Sequence, residues 1–374
     1  MNLYERSFAL DNNLQKNPLN GKKIALFIVY ALVAVLLLIT VLSFNDLPSI
    51  IEQLETVDYS YVILAALMVV AYLALYPLSL CILAKARKVK ASSGATYCIA
   101  MTEHFFNGIT PWATGGQPFQ AHSFTKVNVK LSESSGLLLA NLVIYMIATN
   151  SLSLFGLFFL DVLIENIDSW WIPIIFAGYT INFSILAIMI ILGKSKTVRG
   201  WLVRFVRFVC KLKVLRKFES KADDLELYFI QVQEAFDDLL KQKKQFFFAL
   251  LTKILAHIFY YGASYFIIMS FGIPVGPGDF FLIVTGTSFA LTAVGFFPTP
   301  GASGGVEGST GQVFKSIILY LTCGVSVSAV VATANGVMLI WRLVSYYFIM
   351  LVSLLFYIGL EVYFTKRNNK NKKV

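Results

Sequence analysis

Long apolar stretches alternate with shorter polar segments along the chain, a pattern typical of a protein that crosses a membrane repeatedly. Six stretches reach the length of about 20 mostly apolar residues that a spanning helix needs. They lie at about 23–44, 60–84, 134–160, 170–193, 246–271 and 337–362. The pattern therefore predicts an all-α polytopic integral membrane protein.

Three further apolar stretches are harder to assign. Two of them, at about 280–297 and 313–334, flank a break rich in glycine and proline, and the third, at 93–110, is too short and too polar for a straightforward span. When these three are included, we predict about 8 transmembrane or re-entrant helices.

The composition supports the membrane assignment and excludes a soluble enzyme. Hydrophobic residues make up 57% of the chain and charged residues 14%. Soluble globular proteins average about 45–50% and about 25%, respectively.

No catalytic or metal-binding pattern stands out. The four cysteines are isolated from one another, which argues against a disulfide framework and against a zinc site. ATP hydrolysis and zinc proteolysis have no motif to perform them, since neither a P-loop nor H-E-x-x-H is present. Residues 301–305 match G-x-S-x-G around Ser303, but the strand and the Asp/His pair that this motif requires have no candidates. We therefore predict no catalytic residue, no metal and no cofactor.

Acidic and basic residues are distributed unequally between the polar segments. The segment 45–58 carries only acidic charges and 85–90 only basic ones, and the same alternation returns at 161–168 and 194–245. Because Lys and Arg concentrate in cytoplasmic loops, we predict that both termini are cytoplasmic. The net charge of +10 then belongs to the cytoplasmic face and its anionic lipid rather than to nucleic acid.

These charges also divide the chain into segments. The expected segments are a cytoplasmic arm at 1–22, one transmembrane domain at 23–362 with halves at about 23–193 and 246–362, a cytoplasmic connection at 194–245 and a basic cytoplasmic tail at 363–374. Within the connection, 194–221 contains ten basic residues against one acid, interleaved with aromatic residues. This composition predicts an amphipathic helix in the inner headgroup layer.

Two short breaks in the apolar pattern are copies of each other. The sequences TPWATGG at 110–116 and TPGASGG at 299–305 agree at five of seven positions and are offset by 189 residues. Each follows a pair of phenylalanines and precedes a polar or acidic residue, Gln117 or Glu307. We infer an internal duplication.

The breaks have a specific meaning inside a bilayer. Proline and glycine leave backbone polar groups that hydrocarbon cannot satisfy, so a break at this depth must face protein or a water-filled cavity. Two breaks in corresponding positions of two halves point to the central site of a transporter. The free N–H groups of the helix that follows each break would suit an anion such as phosphate. The alternative is a pair of tight turns at the cytoplasmic surface.

Two arrangements of the copies are compatible with the charges. If 280–297 and 313–334 both span the membrane, the repeat is parallel, and if they form a re-entrant hairpin entered from outside, it is inverted. We favour the inverted form, because opposed half-helices that meet at the midplane share one site.

Several ionisable residues fall inside or beside apolar stretches, where such residues are rare and commonly functional. They are Glu103, His104, His257, Glu307, Lys315 and Arg342. Arg342 needs an anionic partner, and Glu307 and Glu103 are the candidates. The alternative is structural: His257 is a neutral histidine bonded to a neighbouring helix, and Lys253, Lys130 and Lys315 extend to the membrane interface.

The two breaks carry a family resemblance. FFNGITPWATGGQPFQ at 105–120 and FFPTPGASGGVEG at 296–308 resemble the two signature segments of the lysylphosphatidylglycerol synthase transmembrane region, a bacterial flippase-like family. The resemblance covers roughly residues 20–362. Many members have a glutamate and a following arginine in the first segment, where this chain has Gln117 and Gln120, whereas Glu307 matches.

The resemblance implies a multi-pass protein of the bacterial cell membrane that takes part in lipid metabolism. By resemblance alone, it also suggests a link to antibiotic resistance. Full-length members carry a soluble aminoacyltransferase domain after the membrane region, and we expect this chain to lack that domain.

Three functions from different classes follow. The first is a lipid translocator that moves a phospholipid or a lipid-linked headgroup between leaflets, with an anionic or aminoacylated phospholipid as its partner. The second is the membrane subunit of a lipid-modifying enzyme of the phosphatidylglycerol lysyltransferase type, working with a separate transferase, and the third is a structural or regulatory scaffold. The predicted substrate site consists of Glu103, Thr110, Pro111, Gly115, Gly116, Gln117, Gln120, Thr299, Pro300, Ser303, Gly304, Gly305, Glu307 and Arg342.

Overall fold

The computed structural model describes residues 55–194, 241–322 and 325–371, together with a few single residues between 197 and 237. The first candidate span, at 23–44, lies outside the described residues. The same holds for most of the cytoplasmic connection, including the amphipathic helix predicted at 194–221.

Regular structure in these ranges is helical. The α-helices are α1 (Tyr59–Leu75), α2 (Leu78–Ala86), α3 (Ser93–Met101), α4 (Glu103–Ile109), α5 (Gly116–Thr125), α6 (Leu131–Gly156), α7 (Leu160–Ile164), α8 (Trp171–Lys194), α9 (Lys243–Ser270), α10 (Phe280–Val294), α11 (Gly305–Leu321), α12 (Val327–Arg342) and α13 (Phe348–Asn371). A π-helical turn, Leu343–Tyr347, joins α12 to α13.

Six helical stretches among the described residues are long and apolar enough to cross a membrane. They are Tyr59–Ala86, Leu131–Ile164, Trp171–Ile191, Lys243–Ser270, Pro277–Val294 and Val327–Lys366. The predicted all-α polytopic membrane fold is therefore confirmed.

The chain between the second break and the C-terminal region differs from the prediction. The apolar stretch 313–334 is not one element, because α11 ends at Leu321 and α12 begins at Val327. Glycine and serine in the sequence CGVS between these helices favour a turn. The following span also begins earlier than the predicted position 337, and its helix continues to Asn371 through most of the segment expected to be a tail.

Helix α9 is central among the described elements and packs against α1, α2, α6, α10 and α12. It buries Ala249, Ala256 and Ala263 completely, at intervals of seven residues. Small residues let helices approach closely, and in lipid this close contact replaces the hydrophobic effect as the main cause of helix association.

Both Gly/Pro breaks form the tips of helical hairpins. In the first hairpin (93–125), α3 and α4 form one arm and α5 the other, and in the second hairpin (280–321) the arms are α10 and α11. Helix α13 packs against α3 and α4, whereas α12 packs against α11. Helix α12, the π-helical turn and α13 form one continuous helical run. The second hairpin packs along the first part of this run and the first hairpin along its last part, so the two hairpins extend from its middle in opposite directions.

Two ion pairs mark the far ends of the hairpins. Lys126, just beyond α5, lies 2.7 Å from Glu361 near the end of α13. Lys315 on α11 lies 2.7 Å from Asp168 in the acidic loop before α8. The bases of the hairpins are therefore at opposite ends, as the inverted form of the repeat requires.

Candidate functional site

The two breaks meet each other at their tips. Pro111 and Pro300 form an isolated antiparallel bridge. They are equivalent positions of the repeat, each the proline of its TP pair. An antiparallel bridge between equivalent residues implies a local two-fold relation between the copies, so the duplication seen in the sequence corresponds to a symmetric contact in space.

Side chains close by satisfy the backbone of the first tip. The Thr110 hydroxyl donates to the Phe106 carbonyl at 2.7 Å and accepts from the Gly115 N–H at 2.9 Å. The Gly116 N–H donates to Asn107 Oδ1 at 2.8 Å. The N–H groups of Gly115 and Gly116 are thus bonded within the first hairpin.

The second tip uses the equivalent threonine and an additional carboxylate. The Thr299 hydroxyl donates to the Ser303 carbonyl at 2.7 Å, and the Gly304 N–H donates to Glu307 Oε2 at 2.6 Å. The expectation of free N–H groups for an anion is therefore wrong for Gly115, Gly116 and Gly304. Their N–H groups already have acceptors within the chain, because unpaired donors at this depth are costly.

Both tips contain backbone in the left-handed region. Gly301 and Gly304 have φ of 60° and 86°, and Ala302 between them has φ of 52°. In the first tip, Trp112 and Ala113 have φ of 53° and 51°. Such conformations in non-glycine residues cost free energy and persist where the surroundings enforce them, commonly at functional sites.

A buried ion pair lies beside the second tip. Arg342 Nη2 and Nε lie 2.7 and 2.8 Å from Glu307 Oε1, and both residues are 3% exposed. Arg342 Nη2 also donates to the Gly301 carbonyl and to Ser303 Oγ, each at 3.3 Å. Of the two candidate partners of Arg342, Glu307 and Glu103, the structure pairs Arg342 with Glu307. Arg342 is the last residue of α12 and lies near the middle of the α12–α13 run, whereas the span predicted at about 337–362 would place it close to the start.

Tyr346 in the π-helical turn connects Arg342 to both tips. The guanidinium carbon of Arg342 lies 4.3 Å from the centre of the Tyr346 ring, a cation–π distance. The Tyr346 hydroxyl donates to the Gly108 carbonyl, at the end of the first hairpin's longer arm, at 2.9 Å. The same ring lies against Gly301, where a Cβ would collide with it. The π-helical turn therefore presents one side chain to both halves of the repeat.

The first tip also presents an exposed surface next to this buried pair. Pro111, Trp112, Ala113 and Thr114 are all exposed, and Trp112 is 61% exposed. In the second tip, Gly304 is exposed. Non-helical backbone of this kind lines a cavity in membrane proteins rather than facing hydrocarbon.

The predicted site residues divide into two groups. Those at the tips are Thr110, Pro111, Gly115, Gly116, Gln117, Thr299, Pro300, Ser303, Gly304, Gly305, Glu307 and Arg342. Glu103 and Gln120 have partners behind the first tip: Glu103 Oε2 accepts from the Tyr76 hydroxyl at 3.0 Å and from Gln120 Nε2 at 3.4 Å. The Glu103 side chain also lies against Gly116 of the first tip, but in the described part of the chain no hydrogen bond or ion pair joins it to Arg342.

Lys253 contacts Tyr76, as Glu103 does, and it was not among the site residues predicted from the sequence. Its side chain is 0% exposed, and Nζ lies 3.2 Å from the Tyr76 carbonyl oxygen and 3.2 Å from the centre of the Tyr76 ring. The expectation that Lys253 reaches the interface is wrong, because it lies ten residues into α9, about 15 Å along the helix axis. Its distance from the polar segment before α9 is the sequence feature that could have indicated a buried lysine.

His257 has a partner within its own helix, whereas the partner of Lys315 is on a distant segment. His257 Nδ1 lies 2.7 Å from the carbonyl oxygen of Lys253 one turn earlier, so its bond is within α9 rather than to a neighbouring helix. Lys315 is paired with Asp168, whose other oxygen accepts from Gln312 at 2.8 Å. These contacts attach α11 to the loop before α8.

The pair formed by Asp168 and Lys315 predicts a pH-dependent stability. The hydrogen bond from Lys315 holds the pKa of the Asp168 carboxyl below its ordinary value. A lowered pKa means that the pair stabilises the fold above the unfolded-state value, about 3.9, and that this contribution disappears as the pH falls further. The thermal stability advantage of the parent over Asp168→Asn should therefore be present at pH 7 and disappear as the pH falls through the lowered pKa of Asp168.

The matched control for this measurement is the same substitution in a Lys315→Met background. Without the ammonium, the effect of Asp168→Asn on thermal stability should lose its pH dependence. An undiminished pH dependence in that background would assign the effect to another group.

No group of three His, Cys, Asp or Glu side chains in the described ranges is placed to hold a metal ion. The charged side chains that bond to each other at the second tip are Arg342 and Glu307.

Comparison with known proteins bears on the whole membrane region. A family model described as the lysylphosphatidylglycerol synthase TM region matches residues 24–353. This range includes both hairpin tips, Glu307 and Arg342. No match was found among the curated proteins compared.

Proposed function

Since the chain belongs to the lysylphosphatidylglycerol synthase TM region family, we propose that it moves a phospholipid or a related lipid-linked headgroup between the two leaflets. The observation that carries this proposal is the contact of the two tips at Pro111 and Pro300 beside the buried pair of Glu307 and Arg342. A contact between opposed hairpins gives a site that either side of the membrane can reach in turn.

The ion pair suits a phospholipid headgroup. A guanidinium binds phosphate with charge-assisted hydrogen bonds, so an incoming phosphate competes with Glu307 for Arg342. The released Glu307 carboxylate can then accept a cationic group on the same headgroup. In this exchange each charge of the pair gains a new partner as it loses the old one, which avoids stranding a buried charge.

The tips supply the rest of the site. Ser303 and the Gly301 carbonyl already contact Arg342, so they hold the guanidinium in place when Glu307 leaves. The exposed face of the first tip, with Trp112 at its centre, provides the surface along which the headgroup enters. We place the termini at the cytoplasmic face, on the side of Lys126 and Glu361, because the basic segments lie there.

Lipid movement is tested in liposomes containing acyl-chain-labelled phosphatidylglycerol. An impermeant reductant destroys label in the outer leaflet only, so translocation exposes label that protein-free liposomes protect. We expect the purified protein to increase the accessible fraction without any added enzyme. If label becomes accessible or modified only after aminoacyl-tRNA and a separate transferase are supplied, the chain is a subunit of a lipid-modifying enzyme instead.

A further inference from the structure

A second polar group lies in the membrane region behind the first tip, where Glu103 reaches Gly116. It consists of Lys253 on α9, Tyr76 between α1 and α2, and Glu103 and His104 on α4. Tyr76 stands between the two charges: its carbonyl oxygen and ring contact Lys253, and its hydroxyl bonds to Glu103. We call this set the lysine cluster.

The charges of the lysine cluster are incompletely compensated. Among the described residues no carboxylate lies within ion-pair distance of Lys253 Nζ, which has one carbonyl oxygen and one ring face as partners. The His104 ring is centred 4.4 Å from the Tyr76 ring, and its buried Nε2 has no hydrogen-bond partner in the described structure. In a purely structural ion pair, a carboxylate would contact the lysine ammonium directly. Here the ammonium of Lys253 has a single hydrogen-bond acceptor among the described residues, and His104 Nε2 has no hydrogen-bond partner there.

The surroundings of Lys253 are otherwise aromatic. The titratable or charged groups near it are Tyr72 and Tyr76, Glu103 and His104 on α4, Tyr145 on α6, His257, Tyr260 and Tyr261 on α9, and Arg342 beyond Tyr260. Helix α10, which also packs against α9, carries no titratable side chain.

We propose that the lysine cluster is a proton-binding site and that proton exchange at Lys253 is coupled to lipid movement. In the loaded state Nζ is an ammonium, and Tyr76 links it to the Glu103 carboxylate. On release Nζ gives one proton to water and keeps its lone pair as a neutral amine, and rebinding reverses this step. Ionisable residues within membrane proteins commonly serve such relays. The coupling rests on the proposed lipid transport, whereas the proton site does not.

The position of the cluster explains how proton exchange affects the tips. Glu103 begins α4, a helix of seven residues whose other end leads directly into the first tip. A change of charge at Lys253 changes how strongly α9 holds α4 through Tyr76. Ring contacts also connect the cluster to the second tip, since Tyr72 lies 4.8 Å from Tyr260, and Tyr260 lies 5.8 Å from Trp341 beside Arg342.

The proton site is tested without lipid transport, by titrating the purified full-length protein in detergent between pH 5 and pH 9. The parent should exchange about one proton per chain more than Lys253→Met and Lys253→Arg over this range, because neither methionine nor arginine releases a proton there. Lys130→Met is the control, since it removes an exposed lysine of the same chain and leaves the lysine cluster unchanged. Identical curves for the parent and Lys253→Arg would overturn the proposal.

Two variants keep the test valid if one fails to fold. Methionine removes a buried charge at similar volume, which is often tolerated. Arginine keeps the charge and the cation–π contact but not the exchange. Both variants should lose the exchange of one proton, Lys253→Met because its side chain has no ionisable group and Lys253→Arg because its guanidinium stays charged.

Coupling is tested in the liposome assay with a pH gradient and with the membrane potential held at zero. One pH unit is a tenfold ratio of proton activity, so the parent's lipid translocation rate should change several-fold with the direction of a gradient of about two units. Lys253→Arg should show no response, and Lys130→Met should respond like the parent. A parent rate independent of the gradient would overturn the coupling. If no lipid moves in any condition, the proposed function fails while the titration still decides the proton site.

Discussion

Removing either charge of the Glu307 and Arg342 pair is expected to destabilise the protein by about 3–5 kcal/mol and to stop lipid movement. Each single substitution, Glu307→Gln or Arg342→Gln, leaves the opposite charge buried without its partner at a site that is 3% exposed. Glutamine at 307 can still accept from the Gly304 N–H, so the loss reports the charge rather than the end of the helix.

The double variant separates stability from function. Glu307→Gln with Arg342→Gln should recover much of the stability, because no charge remains stranded, but not the activity. Thermal stability in detergent gives the double-mutant cycle, and the liposome assay gives the activity. Strictly additive stability losses, or unimpaired transport by Glu307→Gln, would contradict the assignment.

A surface ion pair in the same chain provides the matched control. Lys126 and Glu361 are paired at the same distance of 2.7 Å, but each side chain is 29% exposed. Neutralising either of them should cost less than about 1 kcal/mol, because water compensates the remaining charge. Equal losses of stability at the exposed and the buried ion pair would mean that burial does not determine the cost of removing one charge.

Filling the space at the break glycines is the second change with a large expected effect. A Cβ at Gly305 would lie 2.6 Å from the Phe297 ring, and one at Gly116 would lie 2.5 Å from Asn107 Oδ1. Gly116→Val and Gly305→Val should each abolish lipid movement while the protein still inserts in the membrane, since overpacking costs about 1–3 kcal/mol and shifts the tip.

Gly359→Val is the control for these substitutions. Gly359 lies within α13, and nothing surrounds its Cβ position within 4 Å. Valine is a better helix former than glycine, so this variant should insert and transport normally. If Gly116→Val and Gly305→Val moved lipid at the parental rate, the contact between the tips would have no part in transport.

The reason for the glycines is one that the sequence did not reveal. Positive φ is the usual explanation for glycine in a break, and it applies to Gly301 and Gly304. At Gly116 and Gly305 the cause is close packing against Asn107 and Phe297. A sequence identifies the residue type, but not which of two physical constraints selects it.

Much of the fold and part of the candidate site were predictable from local patterns. The spans in the described ranges follow from the length of apolar stretches, because hydrocarbon allows few alternatives to a helix. The two tips follow from the matching TP and GG pairs. The cost of an unpaired buried charge reduces the candidate partners of Arg342 to two, Glu307 and Glu103, since few carboxylates occur in the apolar stretches.

Contacts between distant segments could not be obtained in this way. Glu103 was a candidate partner of Arg342 because it is one of the few acids in the apolar stretches, but Glu103 bonds to Tyr76 and Gln120, and Arg342 bonds to Glu307. Lys253 was assigned to the interface because a lysine side chain can reach water from many positions in a helix. Its burial depends on which helices surround α9, and those contacts are long-range.

The sequence by itself determined the membrane class, the duplication and the chemical types available at the breaks, because these depend on composition, periodicity and local backbone preference. Only the tertiary structure decided that the tips meet at equivalent prolines, that α12 and α13 form one run with Arg342 at its middle, and that Lys253 lies beside Tyr76. The physical reason is that the apolar pattern specifies how each helix crosses the bilayer, whereas close packing among helices decides which buried polar groups become partners.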